Sequence, residues 1–136
     1  MIYATPATAE EVIVRWMRDW LDLLAAGALE EACARLDAPG SDGRRWTPAL
    51  LLDAVEETFD EGSRFGRAHP QGPVFTPVDE ARGDPQVYVY RLDDGTGYAA
   101  EHNVPLNGEI SDLTALFQFT WRGEELATAL YDLLVL

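Results

Sequence analysis

The sequence predicts an α+β fold in which helices come first and an antiparallel sheet follows. Two observations lead to this prediction. Amphipathic helical segments lie within residues 1–62, separated by a turn-rich loop at residues 38–46. Residues 103–121 open in a turn-rich segment and continue into a strand with an almost wholly apolar face. A strand of this kind needs a cover, and the helical segments are the only candidates. We therefore expect a single domain, helical over residues 1–62 and with an antiparallel sheet over residues 74–136.

Length and composition limit the class of protein. A chain of 136 residues is expected to form one domain that buries about two thirds of its unfolded surface. The single cysteine, Cys33, has no partner for an internal disulfide, so we expect a reducing, cytoplasmic location. No run approaches the roughly eighteen apolar residues of a membrane span, and the first residues do not resemble a signal peptide. We expect no membrane association.

The net charge is strongly negative. It is -14, and acidic doublets are spread along the whole chain. Such a surface repels phosphate backbones and anionic lipids, which argues against nucleic-acid and membrane partners. Two explanations stay open. The acidity serves solubility, also in a salty cytoplasm, or it attracts a basic protein partner.

The first helix is predicted over residues 8 to about 26. A capping box is expected at its start, with Thr8 and Glu11 exchanging hydrogen bonds. Apolar residues at helical spacing form its buried stripe, namely Ile13, Trp16, Met17, Trp20 and Leu24. Gly27 is a suitable residue to end the helix.

A second, shorter helix is predicted over residues 28–36. It is expected to bury Leu29, Ala32, Cys33 and Leu36. The neighbouring Glu30 and Glu31 disfavour a thiolate, so Cys33 is predicted to be a small core residue.

The third helix is predicted to begin at Thr47-Pro48 and to end at Gly62. Its apolar stripe is Leu50, Leu51, Ala54, Val55 and Phe59, and its acidic side is Asp53, Glu56, Glu57 and Asp60. These acids lack the spaced ligands and glycine of a calcium loop, so we interpret them as a solvated face and expect no metal site.

Residues 63–73 are predicted to be a long connection into the sheet. Antiparallel strands are predicted over residues 74–79, 86–92, 98–104 and 111–121, with a turn at Asp93-Asp94-Gly95. The final stretch matches both a helix and a strand. We predict a strand, because residues 122–125 fit a hairpin connection and pairing covers an open edge.

This element order resembles the nuclear transport factor 2-like superfamily, also called the cystatin-like cone fold. The similarity is carried by WLDLLAAGALEEACARLD near the start and SDLTALFQFTW late in the chain. The segments HNVPLNGEISDLTA and LYDLLVL also resemble those of small bacterial proteins of this type. The resemblance implies a strongly curved sheet around the helices, a cone-shaped cavity between them, and dimerisation through the outer sheet face. It implies no particular activity.

Enzymes of that superfamily, such as ketosteroid isomerases, dehydratases and epoxide hydrolases, place acids, tyrosines or histidines inside the cone. Here the inner face of the fourth strand is assigned Leu113, Ala115, Phe117, Phe119 and Trp121, and that of the last strand Ala127, Ala129, Tyr131, Leu133 and Val135. A tyrosine alone is no base near neutral pH. The candidates for chemistry are His102 and, if the faces are reversed, the carboxylate pair Asp112 and Asp132. The sequence contains no cofactor-binding motif, and we expect no cofactor to bind.

Two non-catalytic functions fit these observations, and an enzyme is the third alternative. The first is the binding of an apolar small ligand or peptide between helices and sheet, by Trp16, Trp20, Phe117, Phe119, Trp121 and Tyr131. The same rings could instead fill the core. The second is an immunity-type or adaptor protein that binds a basic protein partner, with the loops at Arg44-Arg45-Trp46 or Asp93-Asp94 at the contact.

The outer face of the sheet is predicted to form a homodimer. It is assigned Thr114, Leu116, Gln118, Leu130, Leu134 and Leu136. This face is too apolar for a fully solvated sheet, and a second copy would cover it.

Overall fold

The computed structural model describes residues 1–57 and 64–136 of the chain. In these ranges the helices are α1 (Ala9–Ala25), α2 (Leu29–Ala34), α3 (Pro48–Glu57) and α4 (Arg64–Ala68). The strands are β1 (Ile2–Tyr3), β2 (Val87–Arg91), β3 (Gly97–Leu106), β4 (Glu109–Arg122) and β5 (Glu125–Val135). The strands form one curled antiparallel sheet packed against the helices, which confirms the predicted α+β class. None of the described helices combines the length and the apolar character needed to cross a membrane.

Helix α1 buries the predicted face but does not use the predicted capping box. Its buried residues include Ile13, Met17, Trp20 and Leu24. At the N-cap, Thr8 has φ -110° and ψ -7° and makes no side-chain cap, because it lacks the extended conformation of a capping residue. Its Oγ1 instead accepts a hydrogen bond from the Thr5 amide at 3.1 Å.

The end of α1 and the packing of α2 follow the sequence closely. Gly27 has φ +78°, which a left-handed helix terminus requires. The amide of Ala28 then donates to the Leu23 carbonyl at 2.9 Å. The indole Nε1 of Trp20 donates to the Ala32 carbonyl at 2.9 Å, so α2 is held against α1.

Helix α3 begins where the sequence predicts. The Oγ1 of Thr47 accepts a hydrogen bond from the Leu50 amide at 3.2 Å, as a cap residue does. Leu51 and Val55 are buried on the predicted stripe. The predicted positions of Phe59 and Asp60, and the predicted end at Gly62, lie outside the described residues.

The connection into the sheet differs from the prediction. Residues 63–73 were predicted to be a long connection, and within it the structure has the short helix α4; Ser63 is outside the described residues. No strand covers residues 74–79, where Phe75 forms an isolated bridge with Leu106 and a 3₁₀ turn follows at Val78–Glu80. Pro73 and Pro77 explain this error, because proline has no amide to donate to a ladder.

The strand order in the sheet is β1-β5-β4-β3-β2. Short hairpin turns join β2 through β5, and Asn107 (φ +54°) with Gly108 (φ +83°) makes the turn between β3 and β4. Two consecutive positive φ angles favour a turn whose twist matches the strands. β1 was not predicted, and it pairs Ile2 with Leu126 at the far edge of β5.

The two faces of β4 are as predicted. Leu113, Ala115, Phe117 and Phe119 are buried and Trp121 is half-buried. Gln118 and Thr120 are exposed between them. This alternation places the predicted inner face of β4 in the core.

The faces of β5 were assigned wrongly over its first half. Leu116 pairs with Asp132, whereas its neighbour Phe117 pairs with Leu130, so Tyr131 is an extra residue at a β-bulge. Leu126 and Leu130 are therefore fully buried in the core. Leu130, assigned to the outer face, lies inside, and Tyr131, assigned to the inner face, is 44% exposed.

The other residues of the predicted dimer face are on or beside the outer side of the sheet. Thr114 pairs with Leu134, and both alternate with inward-facing neighbours. Gln118 is exposed, Leu116 is half-buried, and Leu136 is 72% exposed beyond the end of β5. Homodimerisation through this face stays a prediction.

Candidate functional site

Four of the six predicted ligand-binding rings meet between α1 and the sheet. Trp16 lies edge-on to Phe117 and to Phe119, with ring centroids 5.6 Å apart in each pair. Trp20 lies edge-on to Phe117 at 5.3 Å. Trp20, Phe117 and Phe119 are at most 1% exposed. These rings contact one another in the geometry of a packed core.

The other two predicted rings border hollows at the surface. Trp121 packs against Tyr98, with ring centroids 6.2 Å apart. It also lines a hollow of about 460 Å³ together with Tyr3 and Pro6. Tyr131 lines a different hollow, together with residues of α3 such as Leu50 and Asp53. The structure therefore does not bring all six rings to one place.

His102 is buried inside the fold on β3, with 3% of its surface exposed. Its Nδ1 donates to the Asn103 carbonyl at 2.7 Å, because that oxygen can only accept. Burial is the main cause that lowers the pKa of His102. The bond to Asn103 and the charge of Asp22 act to raise this pKa, and Arg18 acts to lower it. His102 is therefore a neutral imidazole near neutral pH, held under α1.

We expect the burial of His102 to make the protein less stable in mild acid. The unfolded pKa is near 6.5 and the folded pKa is lower. Below pH 6.5 the unfolded chain binds more protons than the folded chain does. The stability that neutral His102 contributes is therefore complete above pH 6.5 and is lost as the pH falls to the folded pKa. The loss is about 1.4 kcal/mol for each unit by which the pKa is lowered.

Urea unfolding of the wild type and of His102→Asn, between pH 7.5 and pH 5, measures this effect. Asparagine keeps a donor for the Asn103 carbonyl but does not titrate. The wild type should lose more stability than the variant over this range. Equal losses would mean that His102 titrates normally in the folded protein.

The two candidate carboxylates do not form a pair. Asp112 is exposed and lines a hollow on the outer face of the sheet with Tyr88 and Thr114. Asp132 lines the hollow that contains Tyr131, and its Oδ1 accepts from the Leu133 amide at 2.8 Å. Neither lies inside the fold. In residues 1–57 and 64–136, no three metal-binding side chains of the His, Cys, Asp or Glu type are grouped so as to hold a metal ion.

The bulge at Tyr131 builds a surface site. The loop of residues 38–46 crosses β5 there, where the Ser41 amide donates to the Tyr131 carbonyl at 2.9 Å. The indole Nε1 of Trp46 donates to the Leu130 carbonyl at 2.7 Å. A Cβ at Gly40 would come within 3.0 Å of that same carbonyl oxygen, so glycine allows the close approach. The loop is therefore fixed to the bulged strand by the backbone amide of Ser41 and by the indole of Trp46.

A groove of about 370 Å³ lies between this loop, α3 and β5. We call it the α3–β5 groove. Of the residues that the structure describes, two aromatic side chains line it, Trp46 and Tyr131. Four carboxylates and one guanidinium line it as well, which are Asp42, Asp53, Glu57, Asp132 and Arg44. Strand β5 contributes Tyr131 and Asp132 to the groove, the loop contributes Trp46, and α3 contributes Asp53 and Glu57.

The charge of the groove is negative. Arg44 forms an ion pair with Asp42, with Nε 2.7 Å from Oδ2. The hydrogen bond from the Arg44 amide, followed by that from its side chain, holds the pKa of Asp42 below its usual range. Among the described residues that line the groove, Asp53, Glu57 and Asp132 then remain in excess over Arg44. Such a groove favours cations that also carry apolar surface.

The sequence predicted the parts of this groove but not their assembly. The acidic side of α3 was predicted to be solvated, and the loop at Arg44-Arg45-Trp46 was named as a possible contact. Adjacent residues of a regular strand point to opposite faces. Tyr131 and Asp132 line the same groove only because the bulge interrupts this alternation. The one sign of this interruption in the sequence is that β5 is apolar at odd and even positions alike.

Comparison with known proteins yields no relative of this chain. No protein-family model, no curated protein and no solved structure matches it. Its function is therefore inferred from its own residues.

Proposed function

We propose that this protein is a non-catalytic binding protein that recognises a positively charged segment of another protein at the α3–β5 groove. The observation that carries the proposal is the composition of the groove. In the part of the chain that the structure describes, its lining has four carboxylates, one arginine and two aromatic side chains. This composition supports the adaptor or immunity-type function with a basic partner.

The partner's arginine or lysine side chains provide both elements that the groove needs. Their charged heads pair with Asp53, Glu57 and Asp132. Their aliphatic stems, or an arginine plane, lie against Tyr131 and Trp46. The net charge of -14 adds long-range attraction, which raises the rate of encounter with a basic partner.

Neutralising the groove should weaken binding of a fluorescein-labelled peptide of eight arginines. The variant Asp53→Asn, Glu57→Gln, Asp132→Asn removes three charges and leaves the size of each side chain nearly unchanged. At about 0.5 kcal/mol for each exposed charge pair, we expect a loss of affinity of about tenfold. Fluorescence anisotropy at physiological salt measures it.

A matched variant separates the groove from the overall charge. Asp19→Asn, Glu30→Gln, Asp93→Asn removes the same number of charges from exposed positions outside the groove. It should weaken binding much less than the groove variant does. Equal losses would mean that the peptide senses only net charge, and the proposal would be wrong.

Membership of the cone-fold superfamily also remains a proposal. A curled antiparallel sheet packed against helices is compatible with that fold. An apolar ligand between helices and sheet would need space that the ring contacts of Trp16, Trp20 and Phe117 do not favour. An enzyme using His102, Asp112 or Asp132 has no shared site among the described residues, since these side chains line separate regions.

A further inference from the structure

Strand β2 leaves one edge of the sheet open. It is the last strand on its side and pairs only with β3 among residues 1–57 and 64–136. On the β3 side, the Gln86 carbonyl accepts from Asn103 and the Leu92 amide donates to Gly97. Hydrogen bonds alternate along an antiparallel pair. The amides and carbonyls of Val87, Val89 and Arg91 therefore point away from β3, towards the open edge.

The side chains next to this edge form two walls. On the inner side, Val87 and Val89 line a hollow of about 640 Å³ against Val14 of α1. On the outer side, Tyr88 and Tyr90 are 45% and 49% exposed. Their rings are stacked with centroids 6.0 Å apart. An extended chain laid along β2 would find apolar surface on both of its faces.

The edge lacks the protection that sheet proteins commonly have. Exposed edges are usually blunted by lysine, proline or a bulge, which discourage pairing with another chain. The stretch Val87–Arg91 reads VYVYR, with no proline and with its one charge at the end, and the pairing with β3 runs without a register shift. Five residues of regular, unprotected edge are available for pairing.

We propose that this edge binds an extended segment of a partner protein, which joins the sheet as an added strand beside β2. Main-chain hydrogen bonds to Val87, Val89 and Arg91 supply the affinity, and the hollow beneath takes alternate side chains of the segment. The site is distinct from the α3–β5 groove and does not depend on it.

Charge argues for a basic segment rather than a second copy of this chain. The hollow beside the edge contains Glu10, Glu11, Arg15 and Arg18. Arg18 is already paired with Asp79, which leaves the two glutamates in excess over Arg15. A second copy would bring its own charge of -14 to this surface, whereas a segment with an arginine near Glu10 and Glu11 would neutralise it.

Amide hydrogen exchange measured by NMR tests the proposal. The probe is a synthetic peptide in which four valines alternate with threonines between terminal arginines. On saturation, exchange at Val87, Val89 and Arg91 should slow by about tenfold or more, since unpaired amides become hydrogen-bonded. Tyr88 and Tyr90, which already bond to β3, serve as internal controls and should change little. Unchanged exchange at the three edge amides would overturn the proposal.

A pair of variants at Val89 tests the backbone directly. Val89→Pro removes the central donor of the edge, at a type of position where proline is tolerated. Val89→Ala keeps the donor and is the matched control. Peptide affinity should fall about tenfold in the proline variant, the value of one or two hydrogen bonds, and much less in the alanine variant. Should the proline variant fail to fold, a peptide with N-methylated alternate amides must lose the same affinity for the wild type.

Two further outcomes would contradict the proposal. If the wild type dimerises by sedimentation and the edge amides are protected without peptide, the occupant is a second copy. If the Asp53→Asn, Glu57→Gln, Asp132→Asn variant abolishes peptide binding, the peptide occupies the α3–β5 groove instead. Edge binding that survives in that variant separates this inference from the proposed function.

Discussion

The replacement Phe117→Ala is expected to lower the free energy of unfolding by about 3–5 kcal/mol. The ring is 1% exposed and is held edge-on by Trp16 and by Trp20. Its removal takes away both buried apolar surface and the ring contacts, which contribute about 0.5–1.5 kcal/mol per aromatic pair. Urea unfolding followed by circular dichroism measures the loss.

The control for this experiment is Tyr131→Ala, which truncates an aromatic residue of β5 that is 44% exposed. We expect a cost below about 1 kcal/mol there, as is usual for surface positions. If Phe117→Ala costs no more than Tyr131→Ala, the ring of Phe117 borders open space. The binding of an apolar ligand between the helices and the sheet would then be the better-supported function.

The replacement Gly97→Ala is expected to destabilise the protein by about 3 kcal/mol or more, at the upper end of overpacking effects. A Cβ at this position would overlap the carbonyl oxygen of Phe119 and would stand 3.0 Å from the Cα of Thr120. Both atoms are backbone of the central strand β4, and Gly97 pairs directly with Thr120. Relief therefore requires β3 and β4 to separate. Thermal and urea unfolding would measure the effect.

Gly123→Ala is the matched control for steric overlap. Gly123 has φ +67°, and a Cβ there would meet no atom within 4 Å. Its cost is conformational only, about 1–2 kcal/mol for a left-handed residue. A Gly97→Ala cost as small as that of Gly123→Ala would show that β3 moves away from β4 easily, contrary to the packing described.

Segments whose structure follows from their own residues alone were predicted correctly. In β4, apolar and polar side chains alternate from Leu113 to Trp121, and one face alone can be buried. That face was predicted correctly. The end of α1 at Gly27 was also predictable, since a glycine that follows an apolar stripe meets a local conformational need.

The errors arose where both faces of a segment are similarly apolar. In β5, Leu126 and Leu130 compete with Ala127 and Ala129 for the core, so either face could be buried. Pairing with β4 and the extra residue Tyr131 decide the outcome, and neither is visible in the sequence of β5 itself. β1 has only two residues and no periodicity to detect.

The candidate site was predictable only in its composition. The acids of α3, the loop at Trp46 and the ring of Tyr131 were each noted, although with separate roles. Their meeting depends on the bulge in β5 and on the loop of residues 38–46, which is hydrogen-bonded to the bulged strand. Both are tertiary features. Sequence patterns describe single elements and do not give the angle or register at which two elements meet.

The anchoring of Trp46 gives the α3–β5 groove its own spectroscopic reporter. The chain has four tryptophans, and the indole N–H of Trp46 is the one that is hydrogen-bonded to β5 at the wall of the groove. Indole N–H protons resonate apart from most amides, so a two-dimensional NMR spectrum of the protein, without an attached probe, should show them as a small separate group. A bound side chain over the indole plane would shift one member of this group and leave the resonance of the buried Trp20 in place. Candidate partners can thus be compared by a single peak, before any of them is modified or the protein is changed.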